Sequence, residues 1–157
     1  MRNALERLVS TCETYLYLKE RFIRNYAVLC VAGYILGIGD RHLENFLVNY
    51  STGDIVSIDF GYSFGAGLGL AVPELMPFRL TRCFTHLMSP IGTNGIFRHS
   101  MISAMSSLKK KRNILLEFCE VFINDPLVDW VKLTKDKKMG TFLFSEGIEH
   151  LDSAKSY

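Results

Sequence analysis

The stretch GIGDRHLENF at residues 37–46, followed after a short spacer by SIDFGYSFG at residues 57–65, governs how the rest of the chain reads. The first piece sets an acid, Asp40, five positions ahead of an amide, Asn45, with Arg41 and His42 between them. The second carries a β-like run into Asp59, the start of an Asp-Phe-Gly triplet. Phosphoryl transfer from a nucleotide asks for these residue types: a carboxylate to accept or orient the attacking hydroxyl, and a carboxylate with an amide oxygen to hold magnesium against the phosphates. Magnesium prefers oxygen ligands and keeps several waters, so two protein ligands from separate loops suffice. Taken singly, Asp40 reads equally well as a turn residue or helix cap and Asn45 as a turn former. Their order and spacing together favour the catalytic reading.

Upstream, YAVLCVAGYILGIG at residues 26–39 is apolar but closed by Arg24 and Asp40, well short of a membrane span, so a buried core helix is expected. Ser10 and Glu13 form an S/T-x-x-E capping box, which predicts a first helix from near Thr11 with Tyr15, Leu16, Leu18, Phe22 and Ile23 on its apolar face. A second helix is expected over residues 25–36, stopped by Gly37 and Gly39. Downstream, FLVN, the turn-like YSTGD and IVSID predict a hairpin whose exit is Asp59. Residues 60–72 read as a glycine-rich loop. Gly65, Gly67 and Gly69 alternate there without forming GxGxxG, so no phosphate cradle is expected. Helices are expected over residues 96–108 and 114–123, the second ended by Asn124, Asp125 and Pro126. Periodicity is lost after about Val131.

The bulk figures bound the rest. A chain of 157 residues, 48% hydrophobic and 22% charged, suits one globular domain with a real core. A formal net charge of +2 favours neither a nucleic-acid nor a membrane surface. The KKKR run at residues 109–112 reads as a solvated helix connector, ahead of an import signal or a phosphate patch. Cys12, Cys30, Cys83 and Cys119 contain no CxxC pair and Met1 opens no secretory leader, so a reducing compartment is expected, without disulfides or zinc. His86, His99 and His150 share no ligand spacing.

The D-x-x-x-x-N spacing followed by D-F-G is that of protein kinases, whose catalytic loop reads H-R-D-x-x-x-x-N, but here the order is Asp40-Arg41-His42. DRHxxN, a hairpin, IDFG and the later PELMPFRLTRCF at residues 73–84 together resemble the phosphatidylinositol 3-kinase and 3-kinase-related family, over about residues 2–130. The resemblance implies an α+β, mainly α fold: the C-terminal lobe of a protein-kinase-like fold of the PI3/PI4-kinase type, with a short β-hairpin between catalytic and DFG loops. It implies a partial catalytic domain, the larger lobe only, over residues 1–131, and an irregular tail over residues 132–157.

The same resemblance assigns roles. Asp40 is the catalytic aspartate, His42 stabilises charge on the transferring group or relays a proton, and Asn45 and Asp59 bind Mg2+ (or Mn2+) and so the ATP co-substrate. Arg41 ties the loop to neighbouring backbone or acids. Phe60, Gly61, Tyr62, Pro73, Glu74 and Leu75 belong to the activation loop, the last three as a substrate platform. The implied activity is that of a serine/threonine protein kinase favouring Ser or Thr before Gln, in nuclear double-strand-break repair by non-homologous end joining. Protein substrates are the implied partners, without a membrane; the Ku heterodimer and DNA ends are engaged only through regions outside these residues.

Two other readings stand beside it. A lipid kinase would be expected to offer Lys or Arg to a phosphorylated inositol headgroup, yet between Phe60 and Phe78 the chain has neither, and Arg79 is the first. An inactive lobe serving as a binding or structural module is the second. A kinase needs a glycine-rich lid and a strand-borne lysine. The residues before Asp40 are helical in pattern and Lys19 lies in an amphipathic stretch, so the chain is expected to be the larger lobe alone. Tyr62 stands where the family usually has His after DFG, which puts the anchoring of that loop in question. Glu44 is tolerable beside Asn45 only if it faces solvent.

Overall fold

A computed structural model of the chain describes residues 5–7, 9–70, 76 and 78–123. The first long element, α1, is a single helix over Cys12–Ile35, in place of the two expected. The charged stretch around residue 20 marks no break. Glu20 and Arg24 form an i,i+4 pair at 2.6 Å on the solvent side, while Leu18, Phe22, Ile23, Tyr26, Ala27, Cys30 and Val31 keep one face buried throughout. The polar-to-apolar change along the sequence is a change in the exposed face, not an end to the helix. Nor is the apolar half buried all round, since Val28 is 51% exposed. The N-cap is Thr11, one residue from the expected Ser10: its hydroxyl accepts from the Thr14 N–H at 3.2 Å.

The C-terminus closes as expected at Gly37, which adopts φ 56°. The Ile38 N–H donates to Gly33 O at 2.9 Å and the Gly37 N–H to Tyr34 O at 3.3 Å. These are the two bonds of a Schellman motif, which satisfy carbonyls the helix would leave open and turn the chain sharply out of it. The direction in which Asp40 leaves α1 is set there.

The hairpin pairs β1 (Phe46–Asn49) antiparallel with β2 (Asp54–Ser57), in the register Phe46↔Ser57, Leu47↔Val56, Val48↔Ile55 and Asn49↔Asp54. Its turn is fastened by Asn49, whose Oδ1 accepts from Ser51 N at 2.9 Å, and by Gly53, with φ 75°. A Cβ on Gly53 would come within 2.6 Å of Leu18 O, so the turn lies directly on α1. Asp54 completes the attachment, accepting from Arg21 Nε and Asn25 Nδ2, both at 2.8 Å. The Arg21 guanidinium holds the Asp54 carboxyl below the usual carboxylate range.

After a short 3-10 turn at Ala66–Gly69 come α2 (Arg82–Leu87), α3 (Ile96–Lys110) and α4 (Arg112–Ile123). Helix α3 packs along α1. The short α2 has no sequence periodicity to announce it; it inserts Phe84 and Leu87, both buried, between α1 and the hairpin. Lys111 is the joint between α3 and α4, and Lys110, Lys111 and Arg112 are exposed, as the connector reading expects. The stop expected at Asn124, Asp125 and Pro126 lies outside the described residues.

The core is aromatic. Tyr26 and Phe84 lie 4.4 Å apart between ring centroids, Phe22 and Phe84 5.6 Å, and Phe46 and Phe97 close the cluster around Tyr26. Such rings bring large apolar area and orientation-dependent attraction beyond it. The one hydroxyl in the cluster is satisfied: Tyr26 donates to Arg79 O. Burial raises the Tyr26 phenol and pushes the neighbouring Cys30 thiol up to about 12. The architecture is mainly helical with one small antiparallel sheet, and among the described residues no helix is long and apolar enough to cross a membrane.

Candidate functional site

Two loops meet at the C-terminal end of α1. The first, residues 36–45, leaves the Schellman turn and feeds β1. The second, residues 58–67, leaves β2. They lie against each other through backbone: the Gly39 N–H donates to Tyr62 O at 2.7 Å, Phe64 N to Leu36 O at 2.8 Å, and Gly65 N to Gly37 O at 2.9 Å. The approach is so close that a Cβ on Gly39 would sit 2.8 Å from the Gly67 Cα, and one on Gly67 2.9 Å from the Gly39 Cα. That contact accounts for glycines on both loops: two main chains touch where no side chain fits.

The sequence-derived site residues are distributed over this junction. Asp40 is half-buried at φ 56°, and Asp59 is exposed at φ 58°. Left-handed backbone is uncommon for residues other than glycine, and Asp and Asn are those that tolerate it best. Both carboxylates therefore sit on left-handed backbone, a conformation held by its surroundings at roughly 1 kcal/mol or more each.

Asn45 is buried, 5% exposed, at the end of a 3-10 turn over Leu43–Asn45. Its Nδ2 donates to Asp40 O at 2.7 Å, and its own carbonyl accepts from Ile58 N at 3.0 Å. With the amide nitrogen committed, Oδ1 is the end left for a cation. Asp59 Oδ1 accepts from Gly61 N at 3.2 Å. An amide oxygen and an exposed carboxylate on adjoining turns are hard donors of the kind a magnesium ion takes, so these residues fit the metal their order implied. His42 is exposed on the same loop, and its carbonyl accepts from Asn45 N at 3.1 Å. Glu44 is exposed, the tolerable side.

Arg41 is buried, 7% exposed, and its guanidinium spans the junction. Nε donates to Gly39 O at 2.7 Å, one terminal nitrogen to Ser57 Oγ at 2.6 Å and Ile58 O at 3.1 Å, and the other to Asp59 O. The Phe60 ring lies beneath it at 5.8 Å. Arg41 is thus the tie to neighbouring backbone that the sequence implied.

Within the activation-loop set, Phe60 and Gly61 are exposed and Tyr62 is half-buried, while Pro73, Glu74 and Leu75 lie outside the described residues. The observed anchor at Tyr62 is its carbonyl, which any residue would supply, so a bond to Gly39 does not require the family's usual His. His86 and His99 are exposed, and His150 lies outside the described residues.

The sequence reading missed an apolar surface on the hairpin. Val48 and Ile55 turn toward the core, so their neighbours Leu47 and Val56, paired across the strands, turn away from it and are 56% and 55% exposed. Ile58, 37% exposed, continues that side toward Asp59. Two-residue alternation in FLVN and DIVS could have disclosed it.

Comparison with known proteins agrees with the fold. The family model described as "Phosphatidylinositol 3- and 4-kinase" matches residues 1–132. The chain is 43% identical over 134 residues to the DNA-dependent protein kinase catalytic subunit of Dictyostelium discoideum, covering 85% of this chain and 3% of that protein. It is 42% identical over 143 residues to the Xenopus laevis protein of the same name, covering 89% and 3%. A probable serine/threonine-protein kinase smg1 of Dictyostelium discoideum is 43% identical over 122 residues, covering 77% and 5%. Among solved structures, one described as the FAT and kinase domain of CtTel1 superposes with a TM-score of 0.80 at 27% identity, over 99% of this chain and 11% of that one. The chain spans only a small fraction of the length of these relatives.

Proposed function

This chain belongs to the phosphatidylinositol 3- and 4-kinase family, and on that premise we propose that residues 1–131 are the larger catalytic lobe of a protein kinase that moves the ATP γ-phosphate to Ser or Thr. The observation that carries the proposal is the meeting of Asp40, Asn45 and Asp59 on two loops cross-linked by Arg41 and by the Ile58 N–H donating to Asn45 O. Asp40 would orient the substrate hydroxyl and accept its proton, and His42, exposed beside it, would face the charge developing on the transferring group. Asn45 Oδ1 and the Asp59 carboxylate would hold Mg2+, or Mn2+ in its place, which when bound neutralises the phosphate oxygens. The exposed Leu47, Val56 and Ile58 offer the apolar surface a purine ring needs, next to the metal ligands.

A protein substrate is favoured over a lipid by the absence of Lys and Arg between Phe60 and Phe78, and by relatives named as serine/threonine-protein kinases. Preference for Gln after the acceptor, a platform at Pro73, Glu74 and Leu75, a nuclear location and a part in end-joining with Ku and DNA ends extend the reading from the relatives named DNA-dependent protein kinase catalytic subunit. Residues 132–157 are taken as a tail outside the lobe.

The test uses the longer protein that contains this sequence. Asp40→Ala should lower phosphorylation of a Ser-Gln peptide by at least about a thousandfold while MgATP still binds, a loss in line with removal of a proton acceptor together with its positioning. Turnover at the parent rate in that variant would overturn the assignment and leave the inactive-module reading. Asp59→Ala should abolish turnover and its magnesium dependence; unchanged magnesium dependence would remove Asp59 from the metal site.

A further inference from the structure

We propose that Arg41 is a positioning residue that sets the distance between the two carboxylates of the site, by clamping the backbone on the near side of Asp40 and the far side of Asp59 with one guanidinium. Gly39 O, bonded by Nε at 2.7 Å, immediately precedes Asp40, while Ile58 O and Asp59 O lie on either side of the turn at Asp59. Asp40 and Asp59 are both on left-handed backbone, at φ 56° and 58°, a conformation that Phe64 shares at φ 54° further along the second loop. A strained turn relaxes unless its flanks are held. Here one rigid, planar group holds both flanks of Asp59 and the leading flank of Asp40, whose own carbonyl is held by Asn45 Nδ2.

Among the acceptors of the Arg41 guanidinium are three carbonyls and the Ser57 hydroxyl, drawn from both loops. Their spread also makes the residue type specific. A guanidinium presents donors on three nitrogens in a fixed fork, whereas an ammonium has one nitrogen and cannot reach both loops. An apolar cavity of about 220 Å³, walled by Tyr26, Leu36, Phe46 and Phe78 among others, reaches to Arg41 and Phe60. Without the guanidinium, carbonyls of the second loop would lose their fixed donor; Arg79, which also lines the cavity and donates to Arg41 O at 3.4 Å, comes from a different segment and would not restore the same geometry.

This inference rests on the metal-site reading above, and its test separates the two. In the longer protein, Arg41→Lys and Arg41→Met should weaken binding of Mn2+ with a non-hydrolysable ATP analogue, followed by electron paramagnetic resonance, by about 10- to 100-fold, the range for groups that orient metal ligands. In turnover, kcat should fall and half-saturation by metal should rise, while KM for peptide stays put. Lysine keeps the charge and much of the stem, so a residue that merely filled space would be rescued by it; no rescue is expected. Ser57→Ala removes one acceptor without disturbing backbone and should shift metal binding the same way by a few-fold. Folded Arg41 variants that bind Mn2+ within twofold of the parent would overturn the proposal. So would unchanged binding in Ser57→Ala if neither Arg41 variant folds. Retained turnover in Asp40→Ala would instead strike the catalytic reading and leave the metal-binding result to be judged separately.

Discussion

The loop junction and the aromatic core are held by opposite means. In the core, Phe22, Tyr26 and Phe84, each no more than 3% exposed, contribute through side-chain area removed from water. At the junction, Gly39 and Gly67 contribute by having no side chain, and stability comes from main-chain bonds such as Gly39 N to Tyr62 O at 2.7 Å. Apolar burial is non-directional and tolerates small shifts; a pair of touching backbones tolerates almost none. The site is built on the second kind of contact, which suits a task that depends on where two carboxylates stand.

The comparison breaks most visibly in the core. Phe84→Ala should cost about 3–5 kcal/mol of stability, the range for emptying a buried aromatic site, read as lost amide-exchange protection across α1 and the hairpin. Equal protection in the variant would mean Phe84 is not what joins them. Gly39→Ala should cost less, about 1–3 kcal/mol as overpacking, yet lower turnover out of proportion, by on the order of a hundredfold, because displacements near 1 Å suffice to misalign reacting groups. A loss of activity no larger than the loss of folded protein would erase the distinction between the two regions.

Titration offers a gentler separation. The Cys30 thiol is raised from about 9 to about 12 and the Tyr26 phenol is raised with it, so both favour the fold below their unfolded values. That contribution should fade as pH climbs from about 9 toward 12, seen as loss of near-ultraviolet circular dichroism from the aromatic cluster. Asp54 behaves oppositely: its carboxyl is lowered, so its hold on Arg21 and Asn25 persists above the ordinary carboxylate range and is lost as pH falls through its depressed value. Being exposed, it should matter little, and Asp54→Asn should flatten only the acid limb. The smallest effect is expected for Tyr62→His, within about 0.5 kcal/mol, with exchange of the Gly39 amide unchanged. Slower or faster exchange there would mean that the Tyr62 side chain, and not its carbonyl alone, anchors the loop.

The candidate site was legible in the sequence because it is proposed from residue type and spacing. Asp40, Asn45 and Asp59 declare themselves by order, and Arg41 by lying between them. The hairpin was legible to within a residue or two from its β-branched runs and the turn at Gly53. Less legible was whatever depends on a partner distant in the chain. α1 reads as two helices because its exposed face changes composition while its buried face does not. The short α2 exists because Phe84 and Leu87 have α1 and the hairpin to bury them. The loop glycines, suggestive only of looseness, are demanded by the approach of Gly67 to Gly39, 28 positions apart in the numbering.

The sequence by itself determined the family, the candidate donor residues and the order of DRH loop, hairpin and DFG loop, since these are local and covalent. Only the tertiary structure decided that Asp40 and Asp59 stand on left-handed backbone with Arg41 bonded to the carbonyl before the first and to those on either side of the second. Backbone strain is stable only where long-range bonds hold it, and those bonds join residues up to 18 positions apart whose pairing no local pattern encodes.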